Sequence, residues 1–374
     1  MPAKPRPRIL ILIPHLGGGG AERVAALLAR GLSAEKYALH LGLITQSEAG
    51  AAEMPSTLQI HALGAPRVRA AAFGLLRLVR RLKPDLILSG MFHLNFLVLL
   101  LRPFFPPATR VLVRQNGTVS AALASGNQPW YTRRFYRLLY RRADRVICQT
   151  QAMADDLARE LKLPANRLIV LPNPVDLQEI RNSIGTNSAP QTGTDPHLLA
   201  IGRLSREKGF DLLLRAMTQV EKQFPGADLL IAGAGLEESV LKAECHALGL
   251  DSSVRFAGYL TCPWTLFPAA TLFVLSSRHE GLPIALLEAA AAGLPIVALP
   301  ASAGLVELLR GRPGIWLASA ITEDALATSL LAALGSLQPG ERFAHPFVEA
   351  FGIDHAINAY ESLIDETLAR SGNN

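Results

Sequence analysis

The chain alternates short apolar runs with helical patterns, and this alternation occurs twice. In the N-terminal half, runs rich in Leu and β-branched residues predict strands, and helical stretches such as 21–30 and 130–142 lie between them. Such alternation is typical of βαβ units, which build a parallel sheet. The strands predicted in this half are 8–14, 38–45, 85–88, 110–114, 145–149 and 168–171.

The pattern restarts after a polar segment, 182–196, whose Ser, Thr, Gly and Pro content indicates a linker. The strands predicted beyond it are 198–202, 228–232, 254–257, 271–275 and 295–298, and a last amphipathic helix is predicted at 352–368. We therefore predict an α/β fold of two Rossmann-like, doubly wound domains facing a cleft, with the ligand at the carboxyl ends of the strands. The predicted domains are 1–176 and 177–351, followed by a helical segment, 352–374, packing across the domain junction.

Composition narrows the class of protein. Three cysteines, Cys148, Cys245 and Cys262, lie far apart and form no metal-ligand pattern, which favours a reduced compartment. The apolar run at 9–14 is too short for a signal peptide, and no apolar run is long enough to cross a bilayer. We expect a cytoplasmic protein, either soluble or peripheral to a membrane.

Charge is divided unevenly along the chain. Residues 1–175 carry 24 Lys and Arg against 9 Asp and Glu, a net +15, whereas residues 176–374 carry a net −9. A half this basic favours a polyanionic partner or an anionic membrane surface. Nucleic acid lacks support, because no recognition-helix pattern or aromatic-interleaved basic motif is present. The arginines of 67–83 and 133–145, with the apolar segment 101–107, instead predict a membrane-surface face; ordinary solvated helix faces are the alternative.

Two acids, Glu280 and Glu288, stand eight residues apart across a predicted strand-to-helix junction. The helix is expected to begin at Pro283, since proline is favoured at the first helical position. Backbone N–H groups at Gly281, Leu282 and beyond Pro283 then lack intrahelical partners, and such an end binds phosphate. Glu280 precedes this anion site and Glu288 lies about 7.5 Å along the helix, as a nucleotide-sugar requires. The alternative is a capping Glu280 and a solvated Glu288, which the apolar neighbours of Glu288 disfavour.

Two cations follow the first predicted strand of the second domain. The predicted strand ends at Gly202, Arg203 follows it directly, and Lys208 comes five residues later. Arg grips phosphate oxygens bidentately and Lys acts as a point charge, so the pair can neutralise a diphosphate leaving group. A basic turn that caps a helix is the alternative interpretation.

Glycines end two further strands of this domain. Gly233 follows one strand, and Gly258 with Tyr259 follows the next, which suits a base and ribose pocket built largely from backbone. No D-x-D metal motif occurs in the sequence, and we expect no metal ion and no cofactor. The cations named above would do what Mg²⁺ does in metal-dependent transferases.

A glycine run, 17–20, follows the first strand and opens a helix. It lacks the G-x-G-x-x-G spacing and the later acid of a dinucleotide site. We expect Gly18 and Gly19 to let the backbone approach the reacting sugar; a flexible turn is the alternative. His93, after the strand at 85–88, is a candidate proton carrier or hydrogen-bond donor, or else a structural histidine at a helix start. Asn116 has a similar location.

These motifs together resemble the retaining glycosyltransferases of family 4, which have the GT-B fold. The segments that carry the resemblance are 17–23, 173–176, 202–203 with 208–209, and the E-x7-E of 280 and 288. The resemblance implies that Arg203 and Lys208 bind the donor diphosphate. It also implies that Glu280 contacts the transferred sugar and that Glu288 binds the nucleotide ribose.

The same resemblance implies roles for backbone groups. Gly281 and Leu282 would offer N–H groups, and the loop at Gly18 and Gly19 would approach the donor. Many members have a His at the position of Gln115, so an acceptor-side role for this residue stays open.

We therefore expect a retaining, metal-independent hexosyltransferase that moves a sugar from a nucleotide-diphosphate donor, expected to be a UDP-sugar, to a lipid-linked or saccharide acceptor of surface-glycan biosynthesis. Its expected catalytic residues are Glu280, His93, Arg203 and Lys208. Its expected location is the inner face of the cell membrane. A nucleotide-sugar epimerase of the same fold and a silent binding subunit of a polysaccharide assembly complex are the alternatives. An NAD-dependent dehydrogenase is least favoured, because the ribose-binding acid is absent.

Overall fold

The computed structural model describes residues 5–17, 19–45, 54–120, 132–186 and 195–370. The chain forms two compact units. The first unit comprises residues 1–174 together with 353–374, and the second comprises residues 175–352. The last helix of the chain therefore belongs to the first unit. Its packing across the domain junction, and the cleft, stay predictions.

The first unit contains a parallel sheet, with seven strands among the described residues. Its strands are β1 (Arg8–Ile13), β2 (Ala38–Leu43), β3 (Gln59–Ala62), β4 (Leu86–Ser89), β5 (Arg110–Arg114), β6 (Arg145–Cys148) and β7 (Leu168–Val170). Their order across the sheet is β3-β2-β1-β4-β5-β6-β7, and every neighbouring pair is parallel. The predicted strands are confirmed to within two residues at each end, and β3 is an addition.

Helices connect these strands and complete the first core. They are α1 (Gly20–Gly31), α2 (Ala72–Leu82), α3 (Phe92–Leu101), α4 (Thr132–Tyr140) and α5 (Gln151–Leu161). Residues 121–131, which include the predicted start of the helix at 130, lie outside the described residues. The central strands are buried on both faces, as continuous apolar runs such as 9–13 require.

The second unit contains a parallel sheet of six strands among its described residues. They are β8 (His197–Ile201), β9 (Asp228–Ala232), β10 (Val254–Gly258), β11 (Leu272–Leu275), β12 (Ile296–Ala298) and β13 (Ile315–Leu317). Their order is β10-β9-β8-β11-β12-β13. The predicted strands are again confirmed, and β13 is an addition. With the parallel sheet of the first unit, this arrangement confirms the predicted α/β class.

The helices of the second unit correct the predicted linker. They are α6 (Leu177–Thr186), α7 (Phe210–Gln223), α8 (Glu238–Ala247), α9 (Ile284–Ala291), α10 (Ala303–Leu309) and α11 (Glu323–Ser336), and the chain closes with α12 (Ile353–Ala369) in the first unit. The linker predicted at 182–196 is wrong in its first part, because residues 182–186 continue α6. The polar side chains of Asn182 and Ser183 are tolerated there because the helix buries Leu177 and Ile180 and leaves Asn182 exposed. Residues 187–194 lie outside the described residues.

Each sheet has one point at which the strand order reverses. In the first unit this point lies between β1 and β4, and in the second it lies between β8 and β11. Ligands of open parallel sheets bind outside the carboxyl ends of the strands at such a point. The loop at 202–209 and the turn at 276–283, which follow β8 and β11, are therefore neighbours at the place where a ligand is expected.

Candidate functional site

Lys208 and Glu280 meet at the switch point of the second sheet. The ammonium of Lys208 donates a hydrogen bond to Oε1 of Glu280, and the hydroxyl of Ser277 donates to the same oxygen at 2.7 Å. The Glu280 side chain is only 11% exposed. Within the described part of the chain, Oε2 of Glu280 accepts no hydrogen bond. The pair thus holds one carboxylate oxygen and leaves the other available to a ligand hydroxyl.

Gly209 allows the two loops to approach this closely. Its φ is +64°, and a Cβ added there would lie 2.0 Å from the carbonyl oxygen of Ser276. The Ser276 hydroxyl also donates to the carbonyl of Lys208 at 2.9 Å. Any side chain at position 209 would push the turn after β11 away, and would separate Lys208 from Glu280.

A second ion pair, which the sequence interpretation missed, lies beside the first. Nη1 and Nη2 of Arg278 donate to Oδ1 and Oδ2 of Asp211, each at 2.6 Å. Asp211 lies in the first turn of α7. Burial raises the pKa of Asp211, but hydrogen bonds and charge from Arg278 outweigh it and hold that pKa below its usual value. The sequence could have pointed to this pair only through Arg278, which lies two residues before Glu280 in the turn that carries the predicted anion site.

The other predicted residues on this face have contrasting environments. Arg203 is exposed, and its side chain forms no hydrogen bond or ion pair with a described residue. The N–H of Gly233 donates to the carbonyl of Gly258 at 2.7 Å, and a Cβ at Gly233 would lie 1.8 Å from the Gly202 carbonyl oxygen. Tyr259, next along the chain, is 47% exposed. The loops after β8, β9 and β10 therefore pack together through their backbones.

Helix α9 begins one residue later than predicted. Pro283 is its N-cap, with an extended ψ of 121°, and Ile284 is the first helical residue. Gly281 and Leu282, just before the helix, are buried. Glu288 is only 3% exposed, so its placement on a solvated face is wrong. The turn thus brings a helix N-terminus, with its partial positive charge, next to Glu280, and a buried carboxylate follows in the helix.

Candidate residues of the first unit lie near its own switch point. Gly19 is the N-cap of α1, and Gly18 lies outside the described residues. His93 is exposed in the first turn of α3, with its ring edge-on to Phe92 at a centroid distance of 5.7 Å. It follows β4, as predicted, and its chemical role stays a prediction.

Gln115 and Asn116 are engaged in the interior of the first unit. The Tyr140 hydroxyl donates to Oε1 of Gln115 at 2.6 Å, and Nε2 of Gln115 donates to the Gly117 carbonyl at 2.8 Å. Asn116 donates to the carbonyl of Gly90 and accepts a hydrogen bond from Gln149 at 3.2 Å. These hydrogen bonds fix the positions of both side chains within the first unit.

The second unit thus joins, on one edge, two cations, a helix N-terminus and an oriented carboxylate. This combination can bind a diphosphate through charge and a hydroxyl-rich group through hydrogen bonds. Over the described residues, no group of three or more His, Cys, Asp or Glu side chains is placed to hold a metal ion.

Comparison with known proteins agrees with this chemistry. Residues 18–179 match the model of Glycosyltransferase Family 4, and residues 186–351 match that of Glycosyl transferases group 1. The chain belongs to glycosyltransferase family 4. The two matches together span nearly all of both units, and the fold is that of the GT-B glycosyltransferases.

Three similar proteins illustrate the range of relatives. An uncharacterized glycosyltransferase of Methanocaldococcus jannaschii is 26% identical over 65% of this chain, and the match spans less than two thirds of that relative, 62%. The N-acetylgalactosamine-N,N'-diacetylbacillosaminyl-diphospho-undecaprenol 4-alpha-N-acetylgalactosaminyltransferase of Campylobacter jejuni is 27% identical over 80% of this chain and 82% of its own. The crystal structure of Anabaena Alr3699/HepE in complex with UDP and glucose has a TM-score of 0.79 at 19% identity, covering 96% of this chain and 100% of that one.

Proposed function

We propose that this protein is a retaining, metal-independent glycosyltransferase that uses a nucleotide-diphosphate sugar. The observation that carries the proposal is the Lys208–Glu280 pair beside the N-terminus of α9, at the switch point of the second sheet. One ligand with a diphosphate next to a sugar satisfies both the cation and the free carboxylate oxygen.

The cations would act on the leaving group. The Lys208 ammonium has three N–H groups and gives one to Glu280, so two remain for phosphate oxygens. Arg203 is exposed on the same loop and can close on the diphosphate bidentately. As the glycosidic bond breaks, charge builds on the diphosphate, and preorganised cations stabilise that charge without a metal. In other enzymes, removing one such preorganised group lowers the catalytic rate by a factor of about 10²–10³.

The carboxylates would orient the donor. Oε2 of Glu280 would accept a hydrogen bond from a hydroxyl of the transferred sugar, while Glu288 would bind the ribose. Gly233, Gly258 and Tyr259 would surround the base. In this scheme the enzyme supplies positioning and charge rather than a covalent nucleophile, and the leaving phosphate oxygen accepts the proton of the acceptor.

The remaining groups would come from the first unit. The backbone at Gly18 and Gly19 would approach the donor sugar, and His93 would donate a hydrogen bond or carry a proton on the acceptor side. The exposed position of His93 at the start of α3 supports such a role.

Relatives support a particular donor and acceptor. The Anabaena structure contains UDP and glucose, and the Campylobacter enzyme is named for a diphospho-undecaprenol substrate. We therefore propose a UDP-sugar as donor and a lipid-linked or saccharide glycan as acceptor, within surface-glycan biosynthesis.

A lipid-linked acceptor requires access to a membrane, and the first unit has a suitable face. The contacting helices α2, α3 and α4, with the turn after α3, expose large apolar side chains. They are Phe73, Leu100, Phe104, Phe135 and Leu138. No described helix is both long and apolar enough to cross a bilayer. We propose that this face, with its arginines, rests on the anionic inner surface of the cell membrane.

Nucleotide binding is the first test of the donor site. Thermal unfolding is measured with UDP, GDP, ADP and their sugars, without metal and again with EDTA. Saturation at a hundred times Kd stabilises by about 2.7 kcal/mol. We expect a shift with uridine nucleotides that is lost in Lys208→Ala and Glu288→Gln. It should persist in Lys222→Ala and Glu307→Gln, which remove exposed charges elsewhere in the unit. No shift with any nucleotide would contradict the proposal.

Stereochemistry and acceptor use test the reaction itself. The anomeric signal of the product is followed by NMR with lipid-linked acceptor present. Retention of the donor configuration is expected, and inversion would contradict the proposed mechanism. Conversion of the UDP-sugar to another UDP-sugar without acceptor would favour the epimerase instead.

Vesicle flotation tests the membrane face. Vesicles containing phosphatidylglycerol should bind the protein at low salt and release it as salt screens the charge. Phe135→Ser with Leu138→Ser should abolish binding. Leu236→Ser with Val240→Ser, at exposed apolar positions of the second unit, should leave it intact. Equal vesicle binding by both variants would show that the apolar side chains of α4 do not contact the membrane.

A further inference from the structure

A cavity of about 560 Å³ opens on the first unit, at the amino ends of β6 and β7. It is lined by Arg141, Lys162, Leu163, Pro164 and Arg167. The residues come from the end of α4, the end of α5 and the turn that precedes β7. Ligands of parallel sheets bind at the carboxyl ends of the strands. This basic cavity lies at the amino ends, so it is on the opposite edge of the sheet from the switch point between β1 and β4. The donor site proposed above lies in the other unit.

Three cations line the basic cavity, and two of them, Arg141 and Lys162, are exposed. Among the described residues, none of them has a carboxylate within ion-pair distance. Cations nearby on the same unit behave differently: Arg133 pairs with Glu160 at 2.9 Å, and Arg159 pairs with Asp156 at 2.9 Å. The acids of this region thus serve residues outside the cavity, and the charge inside it stays positive.

The negative partial charges of the nearby helix C-termini balance only part of the positive charge of these cations. Arg167 donates through Nη1 to the carbonyl of Arg141 and, at 3.3 Å, to that of Ala143, which follow the last turn of α4. A helix C-terminus carries about half a negative charge, so the ends of α4 and α5 together supply about −1. Three full cations exceed this by about two charges. A dianionic ligand would restore the balance.

We propose that the basic cavity binds the phosphate group of a small ligand or of a lipid head group. Two guanidinium groups and one ammonium suit tetrahedral phosphate oxygens, which Arg contacts bidentately. The volume lies within the range of small-molecule sites, and Leu163 with Pro164 provides apolar surface for the group that carries the phosphate. Arg141 directly follows α4 and lies three residues after the exposed Leu138 of that helix, so a head group is within reach of the proposed membrane face.

A local reporter distinguishes this site from any other anion site in the protein. Methyl NMR of the full chain follows the Leu163 signals, assigned through Leu163→Ile, during titration with inorganic pyrophosphate and with glycerol 3-phosphate. A saturable shift at Leu163 is expected, and it should persist in a Lys208→Ala background, where the donor site is impaired. The site and the donor proposal can therefore fail separately.

Charge-matched variants test the basic cavity. Arg141→Gln with Lys162→Gln should raise the Kd at least tenfold, whereas Lys222→Gln with Arg310→Gln, which removes two exposed cations from the second unit, should leave it within twofold. The melting temperatures of both variants are compared first, and the single Lys162→Gln change replaces the pair if it fails to fold.

A lipid arm then identifies the source of the phosphate. The same variants are tested with phosphatidylcholine vesicles that contain phosphatidic acid. Binding of the soluble esters alone indicates a soluble ligand, and selective loss of vesicle binding in the cavity variant indicates a head group. No Leu163 shift with any probe, or equal weakening in the control variant, would overturn the proposal.

Discussion

Arg278 and Asp211 form a two-armed ion pair, with both N···O distances at 2.6 Å. The pair joins the turn after β11 to the first turn of α7. Arg278 lies two residues before Glu280, and Asp211 lies three residues after Lys208. The pair therefore holds in register the two loops whose side chains meet at the candidate site, without itself belonging to the proposed donor contacts.

Replacing Arg278 by Lys should weaken nucleotide binding although the charge is kept. Lysine cannot bridge both oxygens of Asp211, so the turn that carries Glu280 gains freedom. We expect UDP affinity measured by calorimetry to fall about tenfold, which corresponds to about 1.4 kcal/mol. Arg215→Lys is the control, because Arg215 forms an exposed ion pair with Glu244 on the same unit and such pairs contribute little. Unchanged affinity in Arg278→Lys would show that the loops need no such tie.

A Gly209→Ala substitution should destabilise the protein by more than the conformational cost of alanine at a positive φ. Gly249 offers a matched control, because its φ is +73° and a Cβ there would meet nothing within 4 Å. Gly249→Ala should therefore cost only about 1–2 kcal/mol for the left-handed conformation. At Gly209 the clash with the Ser276 carbonyl adds to that cost. Urea unfolding and UDP binding measure the difference, and equal losses in the two variants would show that the close approach of Gly209 to Ser276 is not needed for the site.

The sequence predicts most strands because buried parallel strands are continuous apolar runs. It misses β3 because Gln59 and His61 interrupt its apolar pattern. It misses β13 because its apolar run is only three residues long. Pro283 is misplaced by one position, because its φ fits both the N-cap and the first helical residue.

The candidate site is predictable residue by residue but not as a set of contacts. The pattern singles out Lys208 and Glu280 without showing that they pair, since that contact depends on the glycine at 209. It cannot find the Arg278–Asp211 pair either, because those residues are 67 positions apart and only the strand order brings them together. Burial of Glu288 is likewise a property of packing.

The His40–His61 pair should make the first unit acid-sensitive. His40 Nδ1 and His61 Nε2 lie 3.1 Å apart, a hydrogen bond that needs a neutral acceptor ring. Burial, the His61 ring and Arg8 lower the pKa of His40 to about 4, and burial with Arg81 lowers that of His61. Below the ordinary histidine pKa the unfolded chain therefore binds protons that the folded chain does not. Stability should fall as the pH falls from about 6.5 towards 4.

Urea unfolding across this pH range measures the effect. Each such proton contributes a slope of at most about 1.4 kcal/mol per pH unit. His40→Gln should flatten the slope, whereas His246→Gln should not, because His246 is exposed beside Asp251. An identical pH dependence in His40→Gln and the unsubstituted protein would mean that other groups dominate acid unfolding.

The last helix should be required for the stability of the first unit. Ile357 on α12 packs against Gly31 at the end of α1, where an added Cβ would lie 2.6 Å from its Cδ1. The Glu361 carboxylate accepts the Ser33 N–H at 2.9 Å. Ile357→Ala removes most of a buried side chain, which costs about 2–5 kcal/mol.

Hydrogen exchange locates this loss. Peptides from α1 and β2 should exchange faster in Ile357→Ala, while peptides from β8 and β11 keep their protection, because α12 belongs to the first compact unit. Leu305→Ala is the reciprocal control: Leu305 is fully buried in the second unit, so the pattern should reverse. Equal loosening of both units by either substitution would show that they unfold as one cooperative body, and that the division at residues 174 and 353 has no thermodynamic counterpart.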